Sequence, residues 1–157
     1  MKLSTKGRYG LRAVVDLAMH ADEEAVSLSS VAERQHISMS YLEQLIAKLK
    51  KAGIVSSVRG SQGGYVLAKT PEEISVGDIL RALEGSLNPV DCAAITGEGE
   101  SCGGSGSCVT KYVWQRITDS INDTVDSIRL SELIDRGKDG TGEKPAAGTN
   151  AQNKCVC

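Results

Sequence analysis

A helix followed at once by a short β-hairpin is predicted between residues 40 and 68. Apolar residues within 40–52 recur three and four positions apart, so they form one buried stripe along a helix: Leu42, Leu45, Ile46 and Leu49. Gly53 is suited to end that helix. The β-branched run 54–58, a turn with three glycines at 59–64 and the return run 65–68 predict two antiparallel strands.

A shorter helix is predicted just before this segment. Ser27 is placed to cap a helix that ends near Gln35. Ser30 and Glu33 have capping-box spacing and offer a second start for this helix. Residues 36–39 form a tight connection. A short helix, a brief turn and an amphipathic helix with a polar start are typical of a helix-turn-helix. An ordinary helical hairpin would explain the two helices equally well, but the hairpin directly after them is a wing.

These elements predict a mainly α fold with a winged helix-turn-helix DNA-binding domain and a two-stranded wing over residues 1–85. A helix at about 6–21 opens this domain. Ser75 and Asp78 have capping-box spacing, and they begin a helix that Gly85 ends.

The polar side of the second helix of the helix-turn-helix indicates DNA binding. It carries hydroxyl, amide and ammonium groups that read base edges and bind phosphates: Ser40, Tyr41, Gln44, Lys48 and Lys51. Arg59, followed by Gly60 at the hairpin tip, can enter a minor groove. Residues 1–69 hold ten Lys and Arg against six Asp and Glu, although the whole chain has a net charge of −2. A basic first half suits phosphate binding, whereas the alternative is a set of ordinary solvated charges.

The second half of the chain predicts a loop and a dimerisation helix. Residues 86–107 are rich in Gly and Ser, and residues 108–133 read as one long helix within a dimerisation segment at 108–136. Its apolar stripe is too long to bury against so small a domain, so we expect a homodimer rather than packing on its own wing domain. The stripe consists of Val113, Ile117, Ile121, Val125 and Ile128.

The remaining sequence predicts a polar tail and a cytoplasmic location. Residues 137–157 are too polar to bury a core of their own, so we expect disorder there. Nothing approaches the run of about 18 apolar residues that a membrane span needs, so no membrane partner is expected. The N-terminus lacks the apolar stretch of a signal peptide.

Three cysteines, Cys92, Cys102 and Cys108, lie in or next to the glycine-rich segment, spaced C-x9-C-x5-C. Thiolates favour iron–sulfur clusters, zinc and copper(I), and the spacing lacks the C-x2-C pairs of common zinc sites. Because cytosolic thiols stay reduced, we predict a metal or cluster site, with three unrelated thiols as the alternative. Cys155 and Cys157 in the tail are interpreted as accessory.

The runs KGRYGLRAVVDLA and ERQHISMSYLEQLIAKLKKAGIVSSVRGSQGGY, with three cysteines before a long helix, resemble the IscR family of winged-helix regulators. That family includes cluster sensors, nitric-oxide sensors and a cysteine-metabolism repressor. The resemblance covers roughly residues 1–134. It implies a homodimer on double-stranded promoter DNA, a [2Fe–2S] cluster bound by the three cysteines, and control of cluster-biogenesis genes. It also makes the iron–sulfur assembly machinery a candidate further partner.

The resemblance also implies roles for individual residues. By position, Ser38, Ser40, Tyr41 and Gln44 would face the major groove and Arg59 the minor groove. Glu43 stands where the family has a carboxylate that disfavours one class of DNA site in the cluster-free state, so the resemblance implies that Glu43 acts as a specificity switch through charge repulsion.

The sequence leaves the fourth cluster ligand open. Family members carry a histidine three residues after the third cysteine, but here that residue is Lys111, a poor ligand because its ordinary pKa is about 10.4. The family's nitric-oxide sensors use a carboxylate near the first helix of the partner chain, where this chain has Arg8. The remaining candidates are Asp91, Glu98, Glu100, Thr110 and a tail thiol.

Other functions also stay open. A regulator of the same fold that senses nitric oxide or cysteine status is one alternative. A small iron–sulfur electron carrier is another, but a carrier would not need a wing. The two histidines, His20 and His36, lie too far apart in sequence to suggest a catalytic arrangement, so no enzyme is predicted.

Overall fold

The computed structural model describes residues 4–21, 24–90 and 108–139. These residues form a winged helix-turn-helix with two further helices, which confirms the predicted mainly helical class. None of the helices in these ranges is both long and apolar enough to cross a bilayer. The helices are α1 (Thr5–Met19), α2 (Leu28–Gln35), α3 (Met39–Lys51), α4 (Val76–Glu84), α5 (Lys111–Ser127) and α6 (Leu130–Lys138), and the strands are β1 (Val55–Val58) and β2 (Gly64–Leu67).

Serine side chains cap several helices as the sequence predicts. Ser27 accepts a hydrogen bond from the N–H of Ser30 at 3.2 Å and begins α2. Ser75 and Asp78 form a reciprocal capping box at the start of α4. Gly85 ends α4 with a φ of 86°, a left-handed value that favours glycine.

The core lies where α1, α3 and α4 meet. The α3 stripe is buried as predicted, and α1 approaches α4 closely at Gly7 and Gly10. A methyl group at Gly10 would overlap the buried side chain of Leu83, so the absence of a side chain there sets the distance between the two helices. The largest fully buried side chains are Val14, Leu17, Val31, Leu42, Leu45, Ile46, Leu49, Val55, Ile74, Ile79, Leu83 and Leu130.

The wing is an antiparallel hairpin in which Val55 pairs with Leu67 and Val58 with Gly64. Residues before α2 also pair with it, because Val26 and Tyr65 exchange backbone hydrogen bonds of 2.9 and 2.8 Å. The wing is therefore attached to the body of the domain along β2, and its tip extends beyond that attachment.

The prediction of one helix over residues 108–133 is corrected by the structure. The helix is broken after Ser127, where Ile128 and Arg129 are extended. The Val76 N–H donates to the Ile128 carbonyl, and the Leu130 N–H donates to the Ile74 carbonyl, each at 2.9 Å. This backbone pairing with the residues before α4 replaces the helical hydrogen bonds at the break.

The chain after the break continues further as helix than predicted. Helix α6 extends to Lys138, two residues into the predicted tail. Residues 140–157 lie outside the described residues, as do residues 91–107 of the predicted loop.

Part of the α5 stripe packs on its own chain. Arg81 on α4 pairs with Asp126 and donates to Asn122 at 3.1 Å, and Ile121 and Val125 pack beside α4. Part of the alternative, packing of the stripe on its own domain, is therefore observed, and dimerisation through the stripe stays a prediction. An apolar groove of about 470 Å³ nevertheless remains open along α5, lined by Arg116, Ile117, Ser120, Ile121, Thr124 and Val125.

Candidate nucleic-acid interface

Helix α3 presents a polar face to solvent at its N-terminal half. Ser38 is its N-cap residue, and its side chain makes no capping hydrogen bond. Ser40, Glu43 and Gln44 are exposed, and Ala47 continues this face one turn later. Small and amide-bearing side chains on an exposed helix face can approach base edges in a major groove. The structure thus brings together four of the predicted DNA-binding residues.

Tyr41 lies beside this face but is directed towards α1. Its hydroxyl donates to Thr5 Oγ1 at 3.2 Å, and its ring meets Tyr9 edge-on with centroids 6.2 Å apart. The guanidinium of Arg12 lies 5.5 Å from the Tyr9 ring centroid. Tyr41 therefore fixes the first turn of α3 against α1, and its contact with DNA stays a prediction.

The lysines of α3 have different surroundings. Lys48 Nζ donates to the backbone carbonyl of Leu83 at 3.1 Å, so its ammonium is directed to the end of α4. Lys50 Nζ donates to Ser57 Oγ on β1 at 2.8 Å and joins α3 to the wing. Lys51 is exposed. No local pattern in the sequence signals the role of Lys50, because Ser57 becomes its neighbour only when the wing folds back.

Arg59 and Gly60 lie exposed at the tip of the wing. Gly60 has a φ of 122°, and its carbonyl accepts from the Gly63 N–H at 3.0 Å, which closes the turn. Since Gly60 has no side chain, the backbone beside Arg59 can approach a groove closely. The tip therefore offers the exposed cation of Arg59 next to backbone that carries no side chain at Gly60.

The turn of the helix-turn-helix contains an unusual backbone conformation. His36 has a φ of 53° and a ψ of 45°, in the left-handed region, and its N–H bonds to the last turn of α2. The Ile37 N–H donates to the Ala32 carbonyl at 3.0 Å. The sequence predicted a tight connection here, and histidine is among the few non-glycine residues that are enriched in this conformation.

Cys108 is the predicted cluster ligand that the structure describes. It is exposed, just before α5, and its Sγ lies 3.1 Å from Thr110 Oγ1. The pKa of the Cys108 thiol is lowered by the Thr110 hydroxyl first and by the backbone N–H groups of Lys111 and Thr110. A thiol held towards its thiolate form is suited to bind a metal or a cluster.

The other candidate ligands are mostly outside the described ranges. Cys92, Cys102, Asp91, Glu98, Glu100, Cys155 and Cys157 all lie there. Within residues 4–21, 24–90 and 108–139, three or more His, Cys, Asp or Glu side chains do not come together as a metal site. Lys111 is the half-buried first residue of α5, and Arg8 is exposed on α1.

Sequence comparisons find similarity to transcriptional regulators over most of the chain. A family model described as Rrf2, an iron-dependent transcriptional regulator, matches residues 3–136. A putative HTH-type transcriptional regulator of Neisseria meningitidis serogroup A is 41% identical over 144 residues, which are 92% of this chain and 95% of that protein. The HTH-type transcriptional regulator IscR of Aliivibrio salmonicida is 45% identical over 134 residues, 85% of this chain and 77% of that protein.

Solved structures give the same relationship. IscR of T. potens aligns with a TM-score of 0.72 at 45% identity and covers 92% of this chain and 94% of its own. CymR, the global cysteine regulator of B. subtilis, aligns with a TM-score of 0.69 at 40% identity and covers 86% of this chain and 97% of its own.

Proposed function

The chain belongs to the Rrf2 family of iron-dependent transcriptional regulators, and we propose that it senses an iron–sulfur cluster and binds promoter DNA as a homodimer. Its relatives make it an IscR-type regulator and not an enzyme. The observation that carries the sensing proposal is Cys108, an exposed thiol of lowered pKa at the start of α5 in a chain 45% identical to IscR. The proposed targets are genes of cluster biogenesis, and the proposed location is the cytoplasm.

The proposed DNA contacts come from α3 and the wing. Ser38, Ser40 and Gln44 supply hydrogen-bonding groups to the major groove, and Arg59 with Gly60 approaches the minor groove. Glu43 lies on the same exposed face. Its carboxylate repels DNA phosphates and so restricts which DNA sites are bound. Tyr41 and Lys48 contribute by orienting α3, since both bond to other parts of the chain.

The proposed dimer uses α5. Its open apolar groove and the exposed side chains of Tyr112 and Val113 form a surface that a second copy of the helix would cover. Two copies of α3 on one dimer would reach two half-sites of a promoter about one helical turn apart.

The proposed cluster is a [2Fe–2S] group held by Cys92, Cys102 and Cys108. Thr110 and the N–H groups at the start of α5 favour the thiolate of Cys108, the form that ligates iron. When bound, such a group supplies a centre whose presence follows the supply of iron and sulfide. The fourth ligand remains one of Asp91, Glu98, Glu100, Thr110 or a tail thiol.

Anaerobic purification tests this proposal directly. We expect the wild-type protein to be coloured and to contain iron and sulfide, and we expect a variant with Ala at Cys92, Cys102 and Cys108 to be colourless. Both proteins should be titrated with a duplex carrying the protein's own promoter at one salt concentration. Stoichiometric zinc without sulfide, or identical DNA binding by both proteins, would contradict cluster sensing.

The likeness to CymR supports a second candidate, a regulator of cysteine metabolism with the same DNA-binding surface. A protein free of iron that nevertheless binds its promoter would favour this function. A nitric-oxide sensor would instead contain a cluster whose absorption spectrum changes on exposure to nitric oxide. A promoter gel shift separates all these regulators from a small electron carrier, which would not bind DNA.

A further inference from the structure

The C-terminal end of α4 contacts two other helices at once. Leu83, near this end, is buried and packs where Gly10 leaves room on α1. The Glu84 carboxylate accepts from the Gly7 N–H at 2.8 Å and from Ser4 Oγ at 2.6 Å, so it caps the N-terminus of α1. The end of α4 is therefore fixed to α1 on one side.

Lys48 fixes the same end of α4 to α3. The last carbonyls of a helix have no partner within that helix, and they form the negative end of its dipole. The Lys48 ammonium donates to one of them, that of Leu83, at 3.1 Å in a partly buried setting. A cation is favoured at this position, so the bond holds α3 in one orientation relative to α4.

The chain that leaves this end of α4 leads into residues 92–108, which carry Cys92, Cys102 and Cys108 and are here called the cysteine segment. Gly85 turns the chain with a φ of 86°, Leu87 is buried beside α4, and Cys92 follows soon after in sequence. Residues 85–90 thus connect the last turn of α4, to which Lys48 is bonded, with the cysteine segment.

We propose that Lys48 is a positioning residue that fixes the recognition helix α3 to the end of α4, rather than a contact to a DNA phosphate. Through this bond the state of the cysteine segment is coupled to the affinity of α3 for DNA. The coupling rests on the proposed cluster-sensing function, whereas the positioning role rests on the geometry of α3 and α4 alone.

Two matched variants test this role. Lys48→Met removes the ammonium and keeps the length of the side chain, and Lys138→Met removes an equal charge from the exposed end of α6. Binding of the cluster-free proteins to their own promoter duplex is measured over a series of salt concentrations. A lysine that contacts a phosphate contributes about one unit to the slope of log affinity against log salt.

For Lys48→Met we expect affinity to fall by about tenfold, which corresponds to ~1.4 kcal/mol, while the salt slope stays that of wild type. For Lys138→Met we expect no comparable loss at matched salt. A slope lowered by about one unit in Lys48→Met, or an unchanged affinity, overturns the positioning role.

Amide hydrogen exchange tests the bond without DNA. We expect the amides of the last turn of α4 to exchange faster in Lys48→Met than in Lys138→Met, and equal exchange overturns the proposal. If wild type fails to bind its promoter, the proposed function fails while this measurement still decides the role of Lys48. If wild type binds iron and DNA, the ratio of affinities with and without the cluster should be smaller in Lys48→Met, and an unchanged ratio overturns the coupling.

Discussion

Asp16 and Arg34 form an ion pair that joins α1 to α2 across the base of the helix-turn-helix. The Asp16 side chain is 3% exposed, and Arg34 Nη2 and Nε donate to its Oδ1 at 2.6 and 3.0 Å. Gln35 Nε2 donates to Oδ2 at 2.7 Å. The hydrogen bond to Asp16 raises the pKa of Arg34 above its ordinary value, so this arginine stays charged.

Replacement of Asp16 by Ala is expected to destabilise the fold. The change leaves Arg34 and Gln35 without their acceptor, and breaking a fully buried pair costs about 3–5 kcal/mol. Because a third of the Arg34 side chain is exposed, at 33%, water can replace part of the lost interaction. We therefore expect the free energy of unfolding, measured in urea, to fall by about 2–3 kcal/mol. For Asp119→Ala, on the exposed side of α5, we expect almost no change. Equal losses in the two variants would contradict this account.

Gly10→Ala is expected to lower the stability of the fold, and Gly137→Ala is expected to raise it. A methyl group at Gly10 would overlap the buried Leu83, so α1 and α4 must separate, at a cost of about 1–3 kcal/mol. A methyl group at Gly137 would meet only the flexible end of Met19, and alanine favours the helix by about 1 kcal/mol over glycine. Thermal unfolding of both variants tests this difference. A similar loss of stability in both variants would show that the close approach of α1 to α4 does not determine the effect of a methyl group at Gly10.

Asp78→Asn is expected to lower stability at neutral pH but not in acid. Partial burial raises the pKa of Asp78, but hydrogen bonds from the Ser75 N–H and hydroxyl outweigh it and hold the pKa below the ordinary 3.8. A carboxylate whose pKa is lower in the folded state stabilises the fold above its unfolded pKa, and this contribution is lost as pH falls through the folded value.

Urea unfolding of wild type and Asp78→Asn, measured from neutral pH down to acid below the pKa of Asp78, tests the effect. We expect a difference of about 0.5–1.5 kcal/mol at neutral pH, the usual size of a capping interaction, which declines towards zero in acid. Asp119→Asn serves as the exposed control. A difference that persists unchanged below the pKa of Asp78 would contradict the role of its charge.

Arg59→Ala is expected to weaken specific DNA binding by about 1–3 kcal/mol at fixed salt, the scale of one good contact. Arg129→Ala removes a charge from an exposed side chain at the α5–α6 break and should leave binding nearly unchanged. Both affinities are measured on the protein's own promoter duplex. An unchanged affinity for Arg59→Ala would remove Arg59 from the interface.

Thr110→Val is expected to make Cys108 less reactive near neutral pH. The Thr110 hydroxyl is the largest cause of the lowered pKa of the Cys108 thiol, so its loss raises that pKa and reduces the thiolate fraction. The rate of alkylation of Cys108 is measured against pH in cluster-free protein by peptide mapping. Its pH profile should shift to higher pH. The other cysteines in the same digest serve as internal controls, and a shift shared by all of them would argue against a local cause.

Local patterns in the sequence determined most of the elements. The buried stripe of α3, the serine at the start of α2, the capping box of α4 and the glycine turn of the wing all depend on residues within a few positions of one another. Their physical causes are helix periodicity, short-range hydrogen bonds and glycine conformations, and these are already present in a short stretch of chain. The exposed polar start of α3 follows from the same stripe.

Contacts between distant residues were decided only by the tertiary structure. The helix break at Ile128 arises because backbone near Ile74 takes its hydrogen bonds, and no Pro or Gly in the sequence marks it. The ammonium of Lys48 bonds to a carbonyl 35 residues away, and Asp16 pairs with Arg34 18 residues away. Sequence spacing does not encode such partners, because they become neighbours only when burial of the shared core brings α1, α2, α3 and α4 together.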